Sequence, residues 1–473
     1  MVGLRARWRG FRASELGGLA GDSIYVYAWQ AAMSIADLVQ IALITHILGL
    51  HEYGRLALVL ALVTVVGQLI DVRVGPVVTT FGVRRLAEAD EGRAIGIFQF
   101  SYLIDAVTGL LGFLVIAAFA PLVADHVVGR DGTLLVLLYA VTLLVSTVDE
   151  TSFSILRLLD RFRLLAGYTI LLQVFRIVLV VGVLLLGYGL VGVLLVLVAY
   201  DVMAGATNLC FAARAVRQVT GRSLRRAALK DAAMDRRPML RMVLHTNVAS
   251  YARIAQVQLP TILLGVVGGA AQVGVYKVGA AAAAGIARLI DPAFVAILPR
   301  LSRLWSTGRR EDVRRLLKRV TVIAGLAMAT TYVVFIVLRH PILGLLGGSA
   351  AVESGTVVLA LAGAAQLLNG VVFWNFPVLY AAGRAAVVAK ISVASAVVQI
   401  VTLALLAPRF GASGAAGSLL ASQVVTNVAA TFLAKRALDS GTTSSSLYDS
   451  LNDEATMQPL VRISIPPGAS SRH

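Results

Sequence analysis

The sequence predicts an all-α polytopic membrane protein, with about twelve transmembrane helices in two six-helix lobes. Three observations carry that fold class. Hydrophobic residues make up 58% of the 473 positions, charged residues only 14%, and mean hydropathy is +0.83, outside the range of soluble domains. About a dozen apolar runs approach the roughly 20 residues that a spanning helix needs. Arginine-rich loops alternate with arginine-poor ones, as in chains that cross a bilayer repeatedly.

The apolar runs fall near residues 24–48, 54–80, 95–120, 133–153, 164–187, 190–212, 243–266, 273–299, 320–338, 354–380, 387–407 and 414–434. With the N-terminus inside, the cytoplasmic segments hold thirty-three of the 42 lysines and arginines. They are densest between Arg214 and Arg241 and between Arg300 and Arg319. The opposite side keeps only Arg55, Arg130, Arg339 and Arg409. This asymmetry predicts that both termini are cytoplasmic. The first apolar run is long, has no small-residue cleavage site and leads into further spans, so no cleavable signal peptide is expected.

The long basic loop divides the chain into a basic N-terminal segment (1–23), an N-lobe (24–213), the inter-lobe loop (214–242), a C-lobe (243–438) and a cytoplasmic tail (439–473). The tail is rich in Ser, Thr, Gly and Pro and cannot bury enough apolar surface to order itself. An offset of 220 residues superposes the lobes. Leu43, Gly49, Gly54 and Ala61 fall on Leu263, Gly269, Gly274 and Ala281, and Leu69-Ile70-Asp71 falls on Leu289-Ile290-Asp291. Each half has six spans, an even number, so the repeats are parallel and related by an axis along the membrane normal.

The net charge of +17 is the positive-inside bias summed over many loops, helped by anionic headgroups of the membrane lipids, and no nucleic-acid partner is expected. Cys210 is the only cysteine, so one chain forms neither a disulfide nor a thiolate metal cluster. There is no phosphate loop, no H-E-x-x-H and no G-x-S-x-G, and the outer loops leave no room for an external catalytic domain. The sequence therefore predicts a non-enzyme with no cofactor, no catalytic residues and no metal site.

Ionisable groups are costly at bilayer depth and normally face a protein interior or a watery cavity. The spans hold Asp37, Asp71, Arg73, Asp105, Arg176, Asp201, Arg253, Lys277, Arg288 and Asp291, with Asp149 and Glu150 near the inner end of span 4. In span 1, Ser23, Tyr27, Gln30, Ser34 and Asp37 share one helix face. In span 7, its repeat partner, Thr246, Ser250, Arg253 and Gln256 do the same before Pro260. Two symmetry-related polar stripes predict a hydrated cleft between the lobes, lined by Gln30, Ser34, Asp37, Ser250 and Gln256. Arg288 and Asp291 stand at i,i+3 and can pair. Arg176 and Asp201 lie at similar depth on adjacent spans and can pair too. Lys277 is near enough to the outer interface to snorkel. Arg253 has no acid at i±3 or i±4 and is the leading candidate ligand contact.

Several segments resemble a known family. Leu48-Gly49-Leu50-His51-Glu52-Tyr53-Gly54 resembles the LG-x-x-[EQ]-[FY]-G signature of polysaccharide-biosynthesis exporters. Gly274-Val275-Tyr276, Leu298-Pro299-Arg300-Leu301, Leu379-Tyr380-Ala381-Ala382-Gly383-Arg384 and Pro408–Ala416 resemble further elements of it. The similarity covers roughly residues 20–436 and points to the Wzx-type oligosaccharide flippases of the multidrug/oligosaccharidyl-lipid/polysaccharide exporter superfamily. That resemblance implies two lobes in a V around a central cationic cavity. It also implies export of a polyprenyl-pyrophosphate-linked oligosaccharide from the cytoplasmic to the outer leaflet of a bacterial plasma membrane, alongside a polysaccharide polymerase and glycosyltransferases. The family has no catalytic signature, so no site residue transfers by motif, and Lys277 departs from the small residue usually found beside that tyrosine.

From the residues themselves, Arg253 with Arg176, Arg73 or Arg288 is expected to bind the pyrophosphate, because the planar guanidinium makes paired, charge-assisted bonds to phosphate oxygens. Asp71 and Asp291 are the coupling or structural acids. The rival expectations are a cation-coupled multidrug exporter of the same fold, a membrane scaffold and a glycan-synthesis enzyme. The two acids separate by context, since Asp291 has Arg288 one turn back whereas Asp71 has no basic residue at i±3 or i±4. Asp71→Asn is expected to change transport and Asp291→Asn mainly to destabilise packing. Transport rate and membrane abundance of each variant check this, and equal transport loss at normal abundance in both contradicts it.

Overall fold

A computed structural model describes residues 15–70, 74–88, 90–159, 161–224, 236–288 and 291–439. The side chains of 15–31, 76, 87, 146–147, 236–253, 255, 291–296 and 298–299 lie outside that description. All regular structure among these residues is helical. In chain order the helices are α1 (Glu15–Ile70), α2 (Gly75–Val77), a π-turn (Val78–Gly82), α3 (Val83–Ala87), α4 (Glu91–Val127), α5 (Gly132–Ala140), α6 (Leu143–Leu158) and α7 (Phe162–Leu185). There follow α8 (Gly189–Thr220), α9 (Arg236–Ala287), α10 (Asp291–Ser306), α11 (Arg310–Val337), α12 (Arg339–Val371), α13 (Asn375–Ala381) and α14 (Ala385–Asp439).

Nine of the described helical segments are long and apolar enough to span a bilayer. Three of them, α1, α9 and α14, are each broken by one non-helical glycine: Gly49 (φ 84, ψ 169), Gly269 (φ 75, ψ 175) and Gly411 (φ 52, ψ −127). Each of these breaks divides its helix into two long legs, giving twelve among the described residues, while a further break in α12 at Gly347 and Gly348 sets off only the short stretch 339–346. The α14 break is a tight hairpin, because Ser395 before it bonds Ser422 (2.7 Å) and Thr426 (2.5 Å) after it. The first N–H of the returning leg, at Ala412, has no intrahelical acceptor. It donates instead to Oε1 of Gln272 (2.9 Å), just past the Gly269 break of α9.

The predicted spans and the observed legs agree apart from their interruptions. Span 4 is α5 and α6 joined through Val141 and Thr142. In spans 2 and 8, residues 71–73 and 289–290 lie outside the described residues, and described helix resumes at α2 and α10. The last N-lobe helix runs on to Thr220 and the first C-lobe helix begins at Arg236, so helix occupies part of the sequence read as the inter-lobe loop.

The 220-residue repeat is visible in the backbone. Gly49 and Gly269 share one conformation that is essentially restricted to glycine. Five residues on, Gly54 lies against the carbonyl of Ala270, and Gly274 lies against the carbonyl of Leu50. The two contacts exchange under the offset that relates Leu50 to Ala270 and Gly54 to Gly274. Each hairpin tip thus docks on the other through a glycine too small to collide with it.

Packing around this crossing gives the molecule its shape. One apolar core runs through both lobes and joins Ile44, Leu56 and Leu58 to Leu264, Val273 and Leu343. Thr45 bonds across the lobes to the carbonyl of Leu346 (2.5 Å). Arg55 meets the carbonyls of Val128 and Arg130 at this same end. At the opposite end the cores divide. Val78, Phe98, Ile155 and Leu165 pack in the N-lobe, while Leu301, Trp305, Val378 and Leu438 pack in the C-lobe. That end carries the basic loops, with Arg161 on Gln218 (2.9 Å) and Arg314 on Asp439 (2.7 Å). There Arg84 and Arg85 hold the Glu88 carboxyl below the usual carboxylate range. The molecule is a V, closed at the arginine-poor end and divided at the arginine-rich one.

Gly54→Val and Gly274→Val are each expected to destabilise by about 1–3 kcal/mol, since the added carbons meet backbone that cannot move aside. Gly167→Ala, in open space, is expected to be neutral. Thermal unfolding midpoints in detergent check the three.

Candidate functional site

The N-lobe concentrates charge. Arg176, midway along α7, puts one terminal nitrogen 2.8 Å from Oδ1 of Asp37 on the first leg of α1. Gln173, one turn earlier, reaches the same oxygen at 3.5 Å. The guanidinium lies 4.9 Å from the ring centre of Tyr200 on α8, a distance at which the ring quadrupole attracts a cation. Arg176 is largely buried and Asp37 is not, with side-chain exposures of 14% and 62%. The Nε of Arg176 is buried without a hydrogen-bond partner among the described residues. Donor capacity therefore remains beyond what Asp37 uses.

The sequence suggested Asp201 as the partner of Arg176, and the structure corrects this. Asp37 on a more distant leg takes the ion pair, while Asp201 borders two crevices. One, of about 270 Å³, is lined by Thr64, Gln68, Thr108, Tyr139, Glu150 and Asp201. The other, of about 170 Å³, is lined by Asp149, Tyr168, Thr169, Tyr200, Asp201 and Asn208. Asp149 accepts a hydrogen bond from Nδ2 of Asn208. Asp105 is fully buried and accepts from Thr151 (2.5 Å), while Tyr102 and Ser152 bond beside it (2.8 Å). Those bonds stitch α4 to α6 and make Asp105 a packing residue.

The C-lobe is built differently. Gln256 lies four residues before Pro260, which has no N–H to donate to the Gln256 carbonyl. A backbone carbonyl without a partner is costly in a membrane. Gln399 on α14 supplies the missing donor, Nε2 to the Gln256 carbonyl at 3.0 Å, and Gln256 Nε2 in turn donates to the Ser392 carbonyl at 3.0 Å. Beside this exchange lies a crevice of about 380 Å³ lined by amides, hydroxyls and phenylalanines from α9, α12, α13 and α14.

The remaining candidates distribute as follows. Ser34 is half-buried on the first leg of α1, and Arg288 is exposed just past the end of α9. Gln30, Ser250, Arg253 and Asp291 occupy helical positions, but their side chains lie outside the described residues. Asp71 and Arg73 lie outside them altogether. Arg253 precedes the Gly269 break by sixteen residues, hence about 24 Å along the helix. Lys277 is half-buried, with no hydrogen bond or ion pair among the described residues.

Reading the sequence for charge missed Tyr200, Asn208 and the C-lobe amides other than Gln256, which borders the C-lobe crevice. Helical spacing did carry a signal for some of these, since Ser392, Ser395, Gln399 and Thr402 fall on one stripe of α14.

Comparison with solved structures shows that this fold is shared with several membrane transporters. An inward-facing multidrug-resistance MATE family transporter superposes with a TM-score of 0.67 at 14% identity, over 87% of this chain and 96% of that one. The lipid II flippase MurJ, in an inward closed conformation, gives 0.67 at 12% identity over 93% of each chain. An outward-facing MATE family transporter gives 0.55 at 14% identity, over 89% and 95%. No protein of curated function matches in sequence. Residues 19–305 match the model of the polysaccharide biosynthesis protein family, and the chain belongs to that family.

The amide exchange at Pro260 makes a quantitative test. Gln399→Leu is expected to destabilise by about 1–3 kcal/mol, the cost of an orphaned buried carbonyl. In a Pro260→Ala background the cost should shrink, because the restored backbone N–H can take that carbonyl. A double-mutant cycle of thermal stability measures the difference.

Proposed function

We propose that this protein carries a polyprenyl-pyrophosphate-linked oligosaccharide from the cytoplasmic to the outer leaflet of a bacterial plasma membrane, for cell-surface polysaccharide synthesis. The observation that carries the reading is the V itself, joined at its arginine-poor end and divided at its arginine-rich end, in a member of a polysaccharide biosynthesis family. A polyprenyl tail can remain in lipid while the polar head enters between the lobes. The superposition on the lipid II flippase MurJ agrees with such a cargo.

In this reading the arginine-rich end and both termini face the cytoplasm, and Arg176 and Arg253 meet the pyrophosphate. Arg176, midway along α7, has an unspent Nε donor, and its pair with Asp37 keeps it oriented while no substrate is bound. Arg253 contributes from the C-lobe. Rocking of the lobes then exposes the head outward. Moving about two negative charges outward across roughly 100 mV, inside negative, is favoured by about 4–5 kcal/mol. The membrane potential is therefore sufficient to drive export, and a proton or Na⁺ on Asp37 or Asp71 is the alternative coupling. A polymerase and glycosyltransferases would act on the exported and the nascent glycan respectively.

One observation favours the second reading, a cation-coupled multidrug exporter. Asp37, Asp149 and Asp201 approach the N-lobe crevices or their margin, with Arg176 the one basic residue described among them. Proteoliposomes separate the two readings. Uptake of a lipophilic cation such as ethidium, without translocation of an undecaprenyl-pyrophosphoryl sugar, would reverse the assignment.

Within the flippase reading, Arg253→Ala is expected to abolish export at unchanged membrane abundance. Arg253→Lys should rescue only partly, keeping the charge but losing the paired geometry. Wild-type export in Arg253→Ala would move the anion site elsewhere.

A further inference from the structure

The C-lobe crevice differs in kind from those of the N-lobe. Its lining includes Asn369, Asn375, Gln423 and Asn427 with Phe373 and Phe376, and it contains neither an acid nor a base. Pyrophosphate calls for guanidinium or ammonium donors, and a hard cation calls for carboxylate oxygens. A neutral polyol calls for what is present. Each ring hydroxyl both donates and accepts, and a carboxamide offers an acceptor and two donors on one plane. The C–H face of a pyranose is apolar and packs against a phenyl ring. The volume of about 380 Å³ lies within the range of small-molecule sites.

The fold consumes part of this polar lining: Thr426 bonds Ser395 and Ser422 behind it, Gln256 donates to the Ser392 carbonyl, and Nδ2 of Asn427 donates to the Gln423 carbonyl. At the crevice wall, by contrast, the amides of Asn369 and Gln423 have no partner among the described residues. Asn375 is only 3% exposed and donates Nδ2 to Thr431 (2.9 Å), yet its Oδ1 is buried without a partner. Buried amide oxygens are rarely left unpaired unless something outside the chain completes them.

Position agrees with chemistry. Ser392 follows Arg384, at the arginine-rich end, by eight residues, about 12 Å along α14, and Phe373 belongs to the apolar core of that end. The crevice therefore lies in the half of the C-lobe nearer the arginine-rich end.

We propose that this crevice is a sugar subsite. It takes a neutral pyranose of the lipid-linked glycan, with Asn369 and Gln423 bonding ring hydroxyls, Asn375 Oδ1 accepting one more, and Phe373 and Phe376 covering the apolar face. The assignment rests on the lipid-linked glycan reading above and divides the head between the lobes, with pyrophosphate on arginine and sugar on amides.

The test titrates the full-length protein in detergent with four probes and reads binding by native mass spectrometry. The probes are undecaprenyl pyrophosphate and its N-acetylglucosamine, glucose and galactose derivatives. Wild type is expected to bind at least one sugar-bearing lipid about tenfold tighter than the sugar-free one. Asn369→Leu and Gln423→Leu should each lower that preference by about three- to tenfold, the loss of one or two hydrogen bonds, while sugar-free affinity stays unchanged. Asn369 is exposed and makes no internal bond, so its replacement does not test folding. A preference that survives both substitutions overturns the subsite, as does equal weakening toward all four lipids. Absence of any wild-type preference for a sugar overturns it too, with the flippase reading left standing. Failure of wild type to bind any of the four removes the lipid-linked reading and the subsite together.

Discussion

Two peptide carbonyls, those of Leu50 and Ala270, sit where a side-chain carbon would otherwise be, and Gly54 and Gly274 are what lets them do so. This reciprocal contact is where the halves of the molecule meet most closely, and much else follows from it. In a bilayer, helices gain little from burying apolar side chains against one another, because lipid is equally apolar. Close backbone approach through small residues supplies the dispersion contacts instead. The crossing stands at the arginine-poor end, so a continuous core forms there, and the lobes separate toward the other end.

The same scarcity of water governs the polar interior. Pro260 removes one backbone donor, and Gln399 on a different helix replaces it. Asp105 is held by Thr151, and Asp149 by Asn208. Each buried polar group acts as a ligand for a particular neighbour and so fixes which legs pack together. Among the described residues several buried groups escape this matching, Nε of Arg176 in the N-lobe and Oδ1 of Asn375 in the C-lobe among them. One is a cationic donor and the other a neutral acceptor, although the lobes share a backbone plan. The repeat preserves the scaffold, and the chemistry has diverged upon it.

A hinge made of glycine and carbonyl has a mechanical consequence in the proposed cycle. Opening the outer end requires the shared core around Leu56, Leu264 and Val273 to part. The crossing contacts have no side chains to disengage and can act as a pivot. Packed interfaces switch between discrete arrangements and do not deform continuously, so a two-state rocking motion suits this construction.

The sequence by itself determined the number of spans, the arginine-rich and arginine-poor ends and the 220-residue repeat, because each is set by local composition. A run of apolar residues is legible one residue at a time, and so is an arginine bias. The glycines that terminate legs were legible too, as Gly49 and Gly269 in register. Tertiary structure alone decided the pairings: that Arg176 faces Asp37 and not Asp201, that Gln399 answers Pro260, and that Asn369, Asn375, Gln423 and Asn427 from separate helices share one crevice. Those pairings depend on the rotation and depth of helices far apart in the chain. Lipid-facing sequence constrains both only weakly, since a helix can turn about its axis without changing its hydropathy.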